Sequence, residues 1–176
     1  MKRIKYIVAL IFIALFAITI GKPGFADSDT IEIKSAEDLH QLSIDASFDQ
    51  WSIGKTVILE ADIDLDNEEF TPIPIFSGTF DGNGHTISGL YIRTEGASQG
   101  FFRYLGESGY IKDLNLRGRV QPDDGYGNTV GGLVGYNEGT IENVSFTGMV
   151  KGADKVETLV NLQTMAMFMV KKKSVA

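Results

Sequence analysis

Three segments of this chain repeat one uneven spacing of apolar residues, apolar-x-x-apolar-x-apolar: Ile87 to Ile92, Ile111 to Leu116 and Ile141 to Phe146. Their starts lie 24 and then 30 residues apart. The last two match further, with Gly109 answering to Gly139, Gly118 to Gly148 and Val120 to Val150. A repeat of roughly 20–30 residues built of short strands and turns cannot bury its apolar face alone. Stacked as successive coils of a parallel β-helix, about 4.8 Å apart, such units cover one another. Stacking predicts three columns of inward side chains: Ile87, Ile111 and Ile141; Leu90, Leu114 and Val144; Ile92, Leu116 and Phe146. Each corner must turn sharply, which favours glycine, and seventeen of the twenty glycines fall between Gly78 and Gly152. An antiparallel sandwich also alternates strands with turns, but it predicts no repetition at a fixed offset.

The flanking segments read differently. Ser35-Ala-Glu-Asp38 followed by Leu39, Leu42 and Ala46 has the form of a capping box opening an amphipathic helix. A helix over residues 35–47 would cover the open edge of the first coil. Residues 57–65 alternate strictly and predict a strand with Val57, Leu59, Ala61, Ile63 and Leu65 inward and Glu60, Asp62 and Asp64 outward. Past residue 156 the glycines disappear, and Leu162 to Val170 leads into Lys171-Lys172-Lys173. Residues 157–176 are therefore either an atypical C-terminal cap, helical with its basic end at the negative pole of the dipole, or a truncated tail. The expected division is an N-terminal cap over 27–56, coils over 57–156, and this terminal segment.

Residues 1–26 carry Lys2, Arg3 and Lys5, then an apolar run from Tyr6 to Ile20, then Gly24-Phe25-Ala26. That order is the form of a cleaved export signal, and the run is short for a membrane-spanning helix. The expected location is secreted or at the cell surface, with no membrane contact after cleavage. The whole chain has a net charge of −7; without the first 26 residues, 12 basic residues face 23 acidic ones, a balance of −11. An acidic surface of this kind argues against nucleic acid as a partner. The chain has no cysteine, which excludes disulfides, thiolate metal sites and a cysteine nucleophile.

Two stretches carry a family likeness. Gly131 to Val150, GGLVGYNEGTIENVSFTGMV, resembles the GLUG motif, and Phe70 to Ile92, FTPIPIFSGTFDGNGHTISGLYI, resembles the segment that commonly precedes it. The resemblance covers roughly residues 31–156. It implies a right-handed parallel β-helix in exported bacterial surface and adhesin-like proteins, and in the N-terminal regions of immunoglobulin A-cleaving zinc metalloproteases. The fold expected is thus all-β, a short right-handed solenoid with an N-terminal capping helix. The zinc chemistry of those proteases does not carry over: the two histidines, His40 and His85, form no H-E-x-x-H.

No catalytic residue and no metal site is assigned. Asp81 and His85 flank Asp81-Gly82-Asn83-Gly84, where Asp-Gly and Asn-Gly are leading tight-turn dipeptides, so these residues read as a structural corner. Asp62, Asp64 and Asp66 alternate on one outward face at about 6.8 Å. They are the candidate binding residues, as a solvated acidic edge, as calcium ligands, or as the paired acids of a polysaccharide hydrolase or lyase. No other cofactor is expected. Tyr91, Tyr104, Tyr110, Tyr126 and Tyr136 fall at or beside turns, where tyrosine can stack on a sugar ring or anchor a partner. Tyr104 and Tyr136 read equally as corner packing, whereas Tyr126, in the polar Asp123 to Asn128 loop, is the first candidate for recognition. The function expected is a binding or adhesion module without catalysis, either by itself or as a fragment of a larger surface protein. Its partner would be a glycan or a host or cell-envelope protein; a polysaccharide-active enzyme is the alternative.

Overall fold

The computed structural model describes residues 29–48, 50–123 and 129–152, together with the backbone of residues 157–161 and 170–171. The export signal expected over 1–26, Tyr126 and residues 162–169 lie outside the described residues. The chain winds into a parallel β-solenoid of about four turns. The first coil is β2 (Thr56–Leu59), β3 (Ile63–Asp64) and β4 (Ile73–Phe76). The second is β5 (Thr79–Asp81), β6 (Thr86–Ile92), β7 (Ser98–Gln99) and β8 (Phe102–Leu105). The third is β9 (Tyr110–Val120), β10 (Thr129–Val130) and β11 (Val134–Asn137), and β12 (Thr140–Lys151) begins the fourth. Like faces pair in parallel, giving an eight-stranded sheet and the smaller sheets β4-β8-β11 and β7-β10.

The floor is closed as the capping box predicts. The helix α1 (Ala36–Asp45) starts where the Ser35 hydroxyl accepts the Asp38 N–H at 3.2 Å, and Asp38 accepts the Lys34 N–H at 2.9 Å. The Lys34 N–H first, and then the Ser35 hydroxyl, hold the Asp38 carboxyl below its usual range. Leu39, Leu42 and Ala46 are buried in the core, and the Ser43 hydroxyl donates to the carbonyls of Thr71 (2.8 Å) and Pro72 (3.1 Å), tying the helix to the strand above. Beside it, β1 (Thr30–Ile33) pairs in parallel with β2. At the other end, the helical alternative for the tail falls on residues outside the description, and what is described is extended. Strand β13 (Glu157–Asn161) runs antiparallel against residues 147–151 of β12, and β14 (Val170–Lys171) antiparallel against β10.

All three columns need correction at their second-coil member. Ile141 lies over Ile111, Val144 over Leu114 and Phe146 over Leu116, as the repeat predicts. The second coil stacks in another register: Phe80 lies under Ile111, Ile87 under Leu116, Leu90 under Gly118 and Ile92 under Val120. The corner sets this register, not the apolar triplet. Asp113 and Asn143 take the left-handed conformation at φ 52° and 50°, and their counterpart is Asn83 at φ 51°, inside the Asp81 to His85 turn. The second coil turns its corner before Ile87, so Ile87 belongs to the strand after the corner. An extra residue at Gly89, φ 68°, is absorbed as a bulge between Ile87 and Leu90.

Phe70, Phe76, Phe80, Phe101 and Phe102 are fully buried and form one aromatic cluster with centroids 5.0 to 6.2 Å apart. Ile87, Leu90, Ile92, Ile111, Leu114 and Leu116 are fully buried around it. Ile141, Val144 and Phe146, on the fourth coil, are only partly buried against this core.

Candidate binding surface

The acidic residues are held by the fold. The strand expected over residues 57–65 is interrupted at 60–62, where the coil bends and Ala61 is only half-buried. Past the bend, Asp62 accepts the Thr86 N–H at 2.9 Å and faces His85 Nδ1 at 3.1 Å, both on the next coil. The Thr86 N–H first, and then His85, hold the Asp62 carboxyl below its usual range. Asp64 accepts the Asp66 N–H at 3.0 Å, closing a turn in which Asp66 and Asn67 are left-handed at φ 53° and 58°. Instead of an evenly spaced strand face, Asp62 stitches two coils, Asp64 closes a turn, and Asp66 is exposed within it. Among the described residues no three His, Asp or Glu side chains converge in a way that could hold a metal ion.

At the Asp81-Gly82-Asn83-Gly84 corner, Asp81 accepts the Asn83 N–H at 2.8 Å and pairs with Lys112 Nζ at 2.6 Å on the coil above. Gly82 fits beneath Leu114, where a Cβ would lie 2.6 Å from its Cα. Asp81 and His85 therefore face different partners, Lys112 and Asp62, and do not form an acid–base pair. The corner column continues upward, with Asn143 donating to Asp113 at 2.5 Å and Asn83 to the Leu59 carbonyl at 3.2 Å. Sequence reasoning missed Asp113 and Asn143, although each stands third in its apolar triplet, 30 residues apart.

The tyrosines divide by coil face. Tyr110 donates its hydroxyl to Glu142, which raises its pKa, and Tyr91 lies beneath the Arg119 guanidinium. Tyr104 and Tyr136 are on the outer side of the β4-β8-β11 sheet, in register with each other and with Ile75. The three are 40%, 43% and 43% exposed, and the two rings are 5.9 Å apart, tilted by 52°. Their strand neighbours Ile73, Phe102 and Val134 point inward and anchor the sheet to the core. The result is a solvent-facing apolar ridge that runs along the solenoid axis, one member per coil. Ile75 carried no signal in the apolar triplets; only its alternation with Pro74 in Pro72-Ile73-Pro74-Ile75 hinted at it.

Residues 126–151 match the GLUG motif, so the likeness seen in Gly131 to Val150 is shown. The chain is 40% identical over 90 residues to Halomucin of Haloquadratum walsbyi, an alignment covering 51% of this chain and 1% of that protein. It is 42% identical over 71 residues to a putative Gly-rich membrane protein of Evansella cellulosilytica, covering 40% of this chain and 8% of that protein. The chain thus spans a small fraction of the length of these relatives. No solved structure matches it.

Proposed function

We propose that this solenoid, with its GLUG motif, is a surface-displayed binding module that grips a linear polysaccharide along its axis without cleaving it. The observation that carries the reading is the exposed Ile75, Tyr104 and Tyr136 ridge on a rigid, in-register sheet. Coils repeat at about 4.8 Å, so the ridge presents the same kind of contact step after step, which suits a ligand that is itself a repeating chain. Apolar side chains take the non-polar faces of sugar rings, and the phenol hydroxyls reach the sugar hydroxyls at the rim. Support for non-catalysis comes from Asp62, Asp64 and Asp81, whose carboxylates are occupied in closing turns and joining coils. Support for an outer location comes from the similarity to a protein named as a membrane protein and from the form of residues 1–26.

A panel of plant and microbial polysaccharides in affinity electrophoresis tests this. The parent is expected to be retarded by at least one of them and to release no reducing ends. Tyr104→Ser/Tyr136→Ser should weaken binding at least tenfold, about 1.4 kcal/mol, with an unchanged melting temperature. Reducing ends or unsaturated products that vanish in Asp64→Asn would establish the enzymatic alternative instead, and undiminished binding by the tyrosine variant would refute the ridge as the site.

A further inference from the structure

A second surface feature lies on the large sheet, away from the ridge. Where β6, β9 and β12 end, Tyr91, Arg93, Gln121, Pro122, Asp123 and Lys151 line an open groove of roughly 550 Å³. Register explains the collection, since Tyr91 stands opposite Arg119, and Arg119 opposite Met149. The strands alternate, so one residue per coil points into the same outward row. On a chain with a net charge of −7, this lining carries two cations, Arg93 and Lys151, and a single carboxylate, and Arg119 stands beside it over the Tyr91 ring.

Two guanidinium groups are held in place around one ring. Arg119 Cζ sits 4.8 Å from the Tyr91 ring centroid, a cation–π stack that fixes the guanidinium plane. Arg93 donates through Nε to Asp123 Oδ1 at 2.7 Å, which fixes its fork while engaging only that edge. Asp123, and to a lesser degree Tyr91, raise the Arg93 pKa further above its usual value, so it is charged at any pH at which the protein is handled. Gln121, also in the lining, turns its amide nitrogen toward Met149 Sδ of the next coil.

We propose that this groove binds an acidic saccharide, with the forks of Arg93 and Arg119 taking its carboxylate or sulfate group. A preformed planar fork matches a bidentate oxyanion. The rest of the lining favours a hydroxylated ligand: Asp123 and Gln121 accept and donate to hydroxyls, and the edge of Tyr91 with Pro122 meets an apolar ring face. A purely anionic ligand would gain nothing from a carboxylate in the groove. A duplex nucleic acid, with one charge per roughly 1.7 Å of axis, would also be repelled by the acidic remainder of the surface.

The inference uses none of the ridge residues, so one experiment separates the two sites. Full-length protein is titrated by calorimetry with oligogalacturonate, sulfated dextran oligomers, uncharged dextran and double-stranded DNA, at low and at high salt. Oligogalacturonate or the sulfated oligomer is expected to bind, more weakly at high salt, and which of them binds identifies the acidic group; dextran is expected to be silent in the groove. Arg93→Gln/Arg119→Gln should reduce acidic-oligomer affinity at least tenfold without changing the melting temperature, and Tyr104→Ser/Tyr136→Ser should leave it unchanged. Arg119→Lys, which keeps the charge but loses the fork, should recover only part of the affinity. The proposal is overturned if neither acidic oligomer binds, if the arginine variant binds them like the parent, or if DNA binds as tightly as they do.

Discussion

Phe80→Ala is expected to cost about 3–5 kcal/mol of folding stability, measured as a shift of the urea midpoint at unchanged slope. Phe80 is fully buried. Its ring meets those of Phe76, Phe101 and Phe102 edge-on at 6.2, 6.2 and 5.4 Å, and its backbone lies between Val57 below and Ile111 above. Removing it opens a cavity bounded by three other phenylalanines on three different strands and loops, which cannot all relax toward one point. The loss would be a large share of the 5–15 kcal/mol that typically holds a domain folded. Ile141, equally central in the repeat but only partly buried on the fourth coil, should cost distinctly less when cut to alanine. A chain stacked otherwise would rank these two positions differently.

Gly118→Ala is expected to be nearly as damaging, at about 3 kcal/mol, and for a different reason. Gly118 lies directly over Leu90 and under Gly148. A Cβ there would stand 2.1 Å from the Leu90 carbonyl oxygen and 2.5 Å from Leu90 Cβ. The obstacle is backbone in a hydrogen-bonded parallel pair, so it can give way only by pulling two coils apart. Gly148 repeats the situation one coil higher, with a Cβ only 1.8 Å from the Gly118 carbonyl. Gly84 offers the contrast. Its φ is 78° but nothing stands within 4 Å of its missing Cβ, so Gly84→Ala should pay only the left-handed backbone cost of about 1–2 kcal/mol. Urea midpoints of the two variants should differ in that order, which separates glycine used for close stacking from glycine used for a turn.

The architecture was legible because a solenoid writes its period into the chain. Glycine pairs such as Gly118 and Gly148 and the triplets at Ile111 and Ile141 share one spacing, and that spacing is the coil. The capping helix was legible from Ser35 and Asp38, a local signal that needs no knowledge of the rest. The register of the second coil was not. Ile87 to Ile92 shows the apolar-x-x-apolar-x-apolar pattern by itself, yet its third-position glycine is a bulge, while the left-handed corner that fixes the stacking sits earlier, at Asn83. Matching Asn83, Asp113 and Asn143 gives offsets of 30 and 30 and places the corner; the strand before it then stacks at an offset of 31 and the strand after it at 29, falling to 28 past the bulge. Corners are thus the better ruler, since a polar residue in the left-handed region is rarer than an apolar one facing inward.

The surface was harder to read than the core for a related reason. Inward positions are constrained by what lies above and below, whereas an outward side chain is chosen by its partner or by solvent alone. Asp62, Asp64 and Asp66 looked like one acidic face because strict alternation was extended through residue 65; the bend at residues 60–62 gives each a separate duty. Tyr104 and Tyr136 were undecided between packing and exposure, because the strands carrying them are four residues long and leave no alternation to count. The groove at Arg93 and Arg119 was invisible in the sequence, where those residues stand 26 positions apart and meet only through the pairing of β6 with β9.

Nuclear Overhauser contacts between side-chain methyl groups in isotopically labelled protein test the stacking most directly. The account predicts cross-peaks joining Ile111 to Ile141 and Ile87 to Leu116, pairs that sit one coil apart in the parallel sheet. A folded protein lacking both contacts would contradict it.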